Sequence, residues 1–137
     1  MMLAHFTIAY WCILAAALLP IICAGIAKYG KMRIDPGKGG YDNNNPRAWL
    51  ARQTDWRARA NAAQANTFEA IPFFFAAVII AHHLQASQAR LDILAVLFVA
   101  LRVVYMVLYV GNLANARSII WVFAFFTNIG ILFSGFR

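Results

Sequence analysis

Residues 55–73, DWRARANAAQANTFEAIPF, pass from polar to apolar with no loop signal between the two halves. Arg59, Asn66 and Glu69 follow one another at spacings of seven and three, which puts them on one helical face, with Ala62 and Phe73 completing the stripe. The apolar run that follows, Ile71 to Ala81, is too short to cross a hydrocarbon core of about 30 Å, for which roughly 20 residues are needed. The span therefore borrows residues from upstream, and Glu69, Asn66 and Gln64 are drawn into the membrane. An ionisable group at that depth is costly unless it faces protein, water or a ligand. This face is the leading candidate for a functional site.

Composition agrees that the chain is membrane-embedded. Its 137 residues are 63% apolar and its mean hydropathy is +0.64, above what a soluble domain carries. The net charge of +7 is concentrated: eight of the twelve Lys and Arg residues lie between Lys28 and Arg59. That distribution is a positive-inside signal and does not point to nucleic acid. Cys12 and Cys23 fall in one apolar segment eleven residues apart, about three helical turns, which excludes a disulfide between them. The N-terminal segment has no basic leader and exceeds the length of a secretory h-region, so it reads as a span and not as a removed signal.

Four spans are expected, at about 6–27, 63–84, 91–110 and 118–136, in an all-α bundle that is a single domain over 1–137, with a basic cytoplasmic loop at 28–45. Pro20 lies inside the first span and Pro72 inside the second, where it frees the carbonyl of Phe68 beside Glu69. The Gly-rich part of the loop lacks the Lys-Ser/Thr pair of a phosphate loop and does not follow a strand. Asn45-Pro46 is a helix start, and from it one helix is expected to run to about residue 84, near 58 Å, with its first half projecting from the membrane. His82 and His83 close that helix; adjacent on a helix and without a third ligand, they suit the interface better than a metal. Near its middle the third span carries one charge, Arg102, on a face with Tyr105 and Tyr109. Glu69 and Arg102 are each the lone charge at comparable depth, so a buried ion pair between them is expected. A GNLANAR connector then leads to the fourth span, with Arg117 at its cytoplasmic end.

These residues resemble the MAPEG family, the membrane-associated proteins of eicosanoid and glutathione metabolism, over most of the chain. The family's pattern of Arg, Ala-Gln, Asn, Glu and Pro-Phe stands here as Arg59, Ala63-Gln64, Asn66, Glu69 and Pro72-Phe73, and a second block stands as Arg102, Tyr105, Tyr109, Gly111 and Arg117. The resemblance implies a homotrimer of four-helix bundles that binds glutathione as co-substrate between neighbouring protomers, with no metal. It further implies that Arg59, Gln64, Asn66, Glu69, Arg102, Tyr105 and Tyr109 hold the tripeptide and that Arg117 is the catalytic residue stabilising its thiolate. The chemistry suits those roles: arginines match the two carboxylates, Glu69 the ammonium, and a guanidinium favours the anion of a thiol whose free pKa is about 8.5. One departure stands out, because many relatives place an arginine where this chain has Ala62. Either Arg59 or Arg57 substitutes, or the tripeptide site is weakened or altered.

Four spans with the basic loop inside place both termini outside, and the stretch GGYDNNNPRAW resembles bacterial members, which implies an inner-membrane protein with those termini periplasmic. Two functions follow. One is a glutathione transferase or peroxidase acting on a lipophilic electrophile or hydroperoxide that enters from the bilayer. The other is a non-enzymatic trimer in which the buried polar residues only hold helices together.

Overall fold

A computed structural model describes residues 6–136; residues 1–5 and 137 lie outside the described part. Five α-helices form: α1 (Ile8–Lys28), α2 (Pro46–Ala51), α3 (Trp56–His83), α4 (Gln88–Val110) and α5 (Ala114–Phe133), with a single 3-10 turn at Pro36–Lys38 and no strand among the described residues. Four of them, α1, α3, α4 and α5, are long and apolar enough to cross a membrane. The chain is an all-α, multi-pass integral membrane protein.

The four long helices run alternately up and down. On α1 the inward stripe consists of Ala9, Cys12, Ala16, Leu19, Cys23 and Ala27, at helical spacings of three and four, while Trp11, Leu14 and Ile21 point outward. Small residues on the facing side of α3, among them Ala60, Ala63, Ala77 and Ala81, are fully buried, and α1 packs chiefly against that helix. Lipid tails are as apolar as leucine, so close approach through small side chains, rather than exclusion of water, holds such helices together. The centre is filled by Phe74 of α3 and Phe98 of α4, stacked at 4.2 Å. Cys12 and Cys23 are both buried free thiols.

At the end of the bundle away from the basic segment, α1 is capped twice. Thr7 Oγ1 accepts the Tyr10 N–H at 3.2 Å, and Asp92 Oδ1 of α4 accepts the Ala9 N–H at 2.8 Å and the Gln88 amide at 2.7 Å. A carboxylate from a different helix thus satisfies an unpaired N–H of α1 and complements its dipole. Replacing Asp92 by alanine should cost about 1–2 kcal/mol of stability, whereas asparagine, which keeps an acceptor, should cost less. Thermal unfolding of the three proteins in one detergent checks this, and equal melting temperatures would remove the cap.

The basic segment folds back on itself. Tyr41 N donates to Lys31 O at 2.9 Å, Lys28 sits over the Tyr41 ring at 4.6 Å, and Tyr41 meets Trp49 edge-on at 5.2 Å. Gly40 admits no side chain there, since a Cβ would run into the carbonyl of Ile34. Asn45 begins α2 but makes no side-chain cap bond; its amide reaches Asp42 instead.

The expected continuous helix from Pro46 to residue 84 is broken. It stops at Ala51, and a new helix starts at Trp56. Asp55 explains the restart, for its Oδ1 accepts the Arg57 N–H at 2.9 Å in a local bond that competes with helix continuation. That backbone bond, with the Arg57 guanidinium 3.0 Å away, holds the Asp55 carboxyl below the usual carboxylate range. The break also turns α2 back onto the protein and leaves Trp49 only 4% exposed, where a projecting helix would have left the indole in water. The fourth long helix starts at Ala114, so the connector is only Gly111–Leu113 and Arg117 lies on α5. Asn112 adopts a left-handed φ of 62°, and Leu113 N closes onto Leu108 O at 2.9 Å, which lets the chain reverse in three residues.

Candidate functional site

Midway along the bundle, α3, α4 and α5 enclose a cavity of about 280 Å³. Its polar lining is Asn66 and Glu69 from α3, Arg102 from α4 and Asn128 from α5. Asn66 Nδ2 donates to Glu69 Oε2 at 3.4 Å, and Arg102 Nη2 donates to Asn66 Oδ1 and to Thr67 Oγ1, both at 3.0 Å. Thr67 Oγ1 in turn donates to Ala63 O at 2.7 Å. Arg102 is only 1% exposed.

The expected ion pair between Glu69 and Arg102 is absent. Among the described residues the one ion pair joins Arg57 to Asp55. Arg102 is held by neutral oxygens, because Asn66 and Thr67 are presented toward α4 while Glu69 lies on the outer side of α3 and is exposed in the protomer. A buried guanidinium without a carboxylate is an electrostatic deficit that an anion would correct.

From Arg102 a stack runs toward the basic end. The Arg102 guanidinium lies 4.2 Å from the centre of the Tyr105 ring, Tyr105 meets Tyr109 edge-on at 5.7 Å, and the Arg117 guanidinium lies 4.1 Å from the Tyr109 ring. The spacing of three and four along α4 lines up the first three, and the short α4–α5 turn brings Arg117 back onto them.

Two other candidates stand apart. Arg59 Nε donates to Val110 O at 2.8 Å and so caps the last turn of α4. Gln64 has a buried side-chain oxygen with no partner and does not line the cavity. Arg57 is engaged as well, with Asp55, with Tyr29 O at 3.1 Å and over the Trp56 ring at 4.2 Å. Both arginines that could substitute for the one absent at Ala62 are therefore tied within the protomer, Arg57 through both of its terminal nitrogens and Arg59 through Nε alone.

Three features were missed from sequence: Thr67 as a partner of Arg102, Asn128 as a cavity residue, and the aromatic wall that Trp121 and Phe125 form beside Phe73. Asn128 did carry a signal, as a lone amide in an apolar span. The aromatic wall carried none, since its members are common residues of any membrane helix.

Neither the comparison with curated proteins nor that with solved structures returned a match. The model of the MAPEG family matches residues 8–137, nearly the whole chain, and covers all four spans, the Asn66–Glu69 face and the Arg102–Arg117 stack. The chain belongs to the MAPEG family.

Proposed function

We propose that the protein is a glutathione-dependent membrane enzyme of the transferase or peroxidase type, acting on a lipophilic electrophile or hydroperoxide drawn from the bilayer. The observation that carries this reading is Arg102, a guanidinium buried midway along a span with neutral partners only, beside a carboxylate and above an apolar cavity. Glutathione offers the complementary groups. One of its carboxylates suits Arg102, its ammonium suits Glu69, and Asn66, Gln64, Tyr105 and Tyr109 supply hydrogen bonds along its length. Arg59, already bonded through Nε to Val110 O, has its terminal nitrogens left for the second carboxylate. Arg117 stabilises the thiolate, the form that reacts. The electrophile reaches the sulfur through the cavity, one of whose wall residues, Phe125, is exposed on the surface of the protomer.

The working unit in this reading is a homotrimer with glutathione between neighbouring protomers. Glu69 supports it, because an outward carboxylate halfway along a span is costly against lipid and is relieved when a second copy covers it. Ala65, exposed one turn before Glu69, and the half-buried Ala58 and Ala62 permit that close approach. The cluster of cations at the α1–α3 end favours a cytoplasmic location for that end and periplasmic termini in a bacterial inner membrane.

Calorimetric titration of the purified protein with glutathione tests the proposal, with saturable heat and a raised melting temperature expected. Millimolar glutathione without either effect would favour a non-enzymatic membrane protein. That second reading has one observation in its favour: the bonds from Arg102 to Asn66 and Thr67 tie α4 to α3 within the protomer.

A further inference from the structure

The cavity has a second polar pole that glutathione does not explain. Asn128 is 2% exposed and its Oδ1 has no hydrogen-bond partner, although its neighbour Thr127 satisfies itself on Phe123 O at 2.8 Å. An asparagine in a membrane helix is ordinarily glue between helices, with its amide bonded across the contact. Here the amide oxygen is spent on nothing in the protomer, and leaving such a group unpaired in a low-dielectric interior is costly. On α5 it lies seven residues beyond Trp121, about 10.5 Å further from the basic end, so it stands on the far side of the cavity from the Arg117 stack. Between the two poles the walls are flat: Trp121 and Phe125 stack with their planes 5° apart, and Phe98, stacked 13° from Phe74, forms another face.

We propose that Asn128 is a specificity-determining residue of this cavity, selecting a planar aromatic or conjugated lipophile that carries a hydroxyl or N–H on the end inserted deepest. Flat walls favour a planar body through offset stacking, and a donor on its leading end satisfies the unpaired Oδ1. The broad terminal torsion of asparagine lets the amide swing toward the ligand without leaving a rotamer well. A site that hydrogen-bonds its ligand discriminates strongly against the analogue that lacks the donor, because that analogue leaves the buried amide unpaired. The inference rests on the reading that the cavity receives the lipophilic co-substrate.

The test uses two probes of equal shape, 6-bromo-2-naphthol and 2-bromo-6-methylnaphthalene, with the protein in detergent and no glutathione present. Binding is read as quenching of Trp121, isolated by subtracting the signal of the Trp121→Phe variant. Wild type should prefer the naphthol by about tenfold relative to Asn128→Leu, a ratio in which partition into the micelle cancels. Asn128→Leu should also leave the melting temperature unchanged or raise it, since an unpaired polar group has been replaced by a packed apolar one. Asn128→Thr serves as the second variant; its hydroxyl can bond its own helix as Thr127 does, so it should fold and lose the preference too. An unchanged preference in either variant overturns the proposal, as does a fall in melting temperature with loss of the oligomer, which would make Asn128 glue. Quenching by neither probe, with the heat of glutathione binding intact, also overturns it and leaves the thiol chemistry standing. A preserved naphthol preference in a protein that does not bind glutathione supports the role of Asn128 and sinks only the enzyme reading.

Discussion

Arg102→Met should abolish most glutathione affinity, by about a hundredfold or more, while shifting the stability of the ligand-free protein by only about 1 kcal/mol. The two effects separate because Arg102 has no counter-ion in the protomer. Removing it strands no buried carboxylate, in contrast to a true buried pair, where loss of one partner typically costs about 3–5 kcal/mol. It does leave Asn66 Oδ1 without its donor, at roughly 1–3 kcal/mol, but it also relieves the desolvation of a guanidinium that is 1% exposed. Thr67 keeps its bond to Ala63 O and needs no new partner. A ligand carboxylate, by contrast, loses a charge-assisted bond in a low-dielectric site and has nothing to replace it. Calorimetry and thermal unfolding on the same preparation decide the matter. Wild-type affinity in Arg102→Met would show that the anion binds elsewhere, and a large loss of ligand-free stability would show that an unseen counter-ion, such as one from a neighbouring protomer, pairs with Arg102.

Arg117→Ala should raise the pKa of glutathione's bound thiol by about two units, back toward the free value of about 8.5, with a fall of about a hundredfold in kcat/KM at neutral pH. The sign follows from charge: a guanidinium stabilises the thiolate, so with Arg117 present the anion persists to lower pH, and without it the thiol is protonated through neutrality. An arginine at a membrane boundary is more often an anchor to head groups. Its place over the Tyr109 ring, 4.1 Å from the centre, turns it inward toward the Arg102 stack instead. Titrating thiolate absorbance near 240 nm in the glutathione complexes of wild type and Arg117→Ala reads the shift directly. Coincident titrations, with glutathione bound in both, would pass the activating role to Tyr109 or Tyr105. Arg117→Lys should rescue little, because an ammonium lacks the planar face that the Tyr109 ring holds in place.

The amino-acid sequence by itself determined the membrane class, the four apolar helices and the family, because each rests on patterns that are local or additive. Span length depends on counting apolar residues, and the order of Arg59, Asn66, Glu69, Arg102, Tyr109 and Arg117 is written along the chain. The helical spacing of Arg102, Tyr105 and Tyr109 likewise made their shared face legible in the sequence. What failed was competition between local options. Asp55 lies within an unbroken helical pattern, and its use as a cap became visible only with Trp49 buried behind the break. Only the tertiary structure decided which groups meet. Glu69 and Arg102 have equal claims to each other by depth, yet the rotation of α3 about its own axis presents Asn66 and Thr67 to α4 and turns the carboxylate outward. In the same way Arg59 caps α4, and Asn128 faces a cavity built from three helices. Depth in a membrane is a one-dimensional quantity that a sequence records; the azimuth at which each helix packs is set by the mutual fit of all four, and it is the azimuth that chooses each side chain's partner.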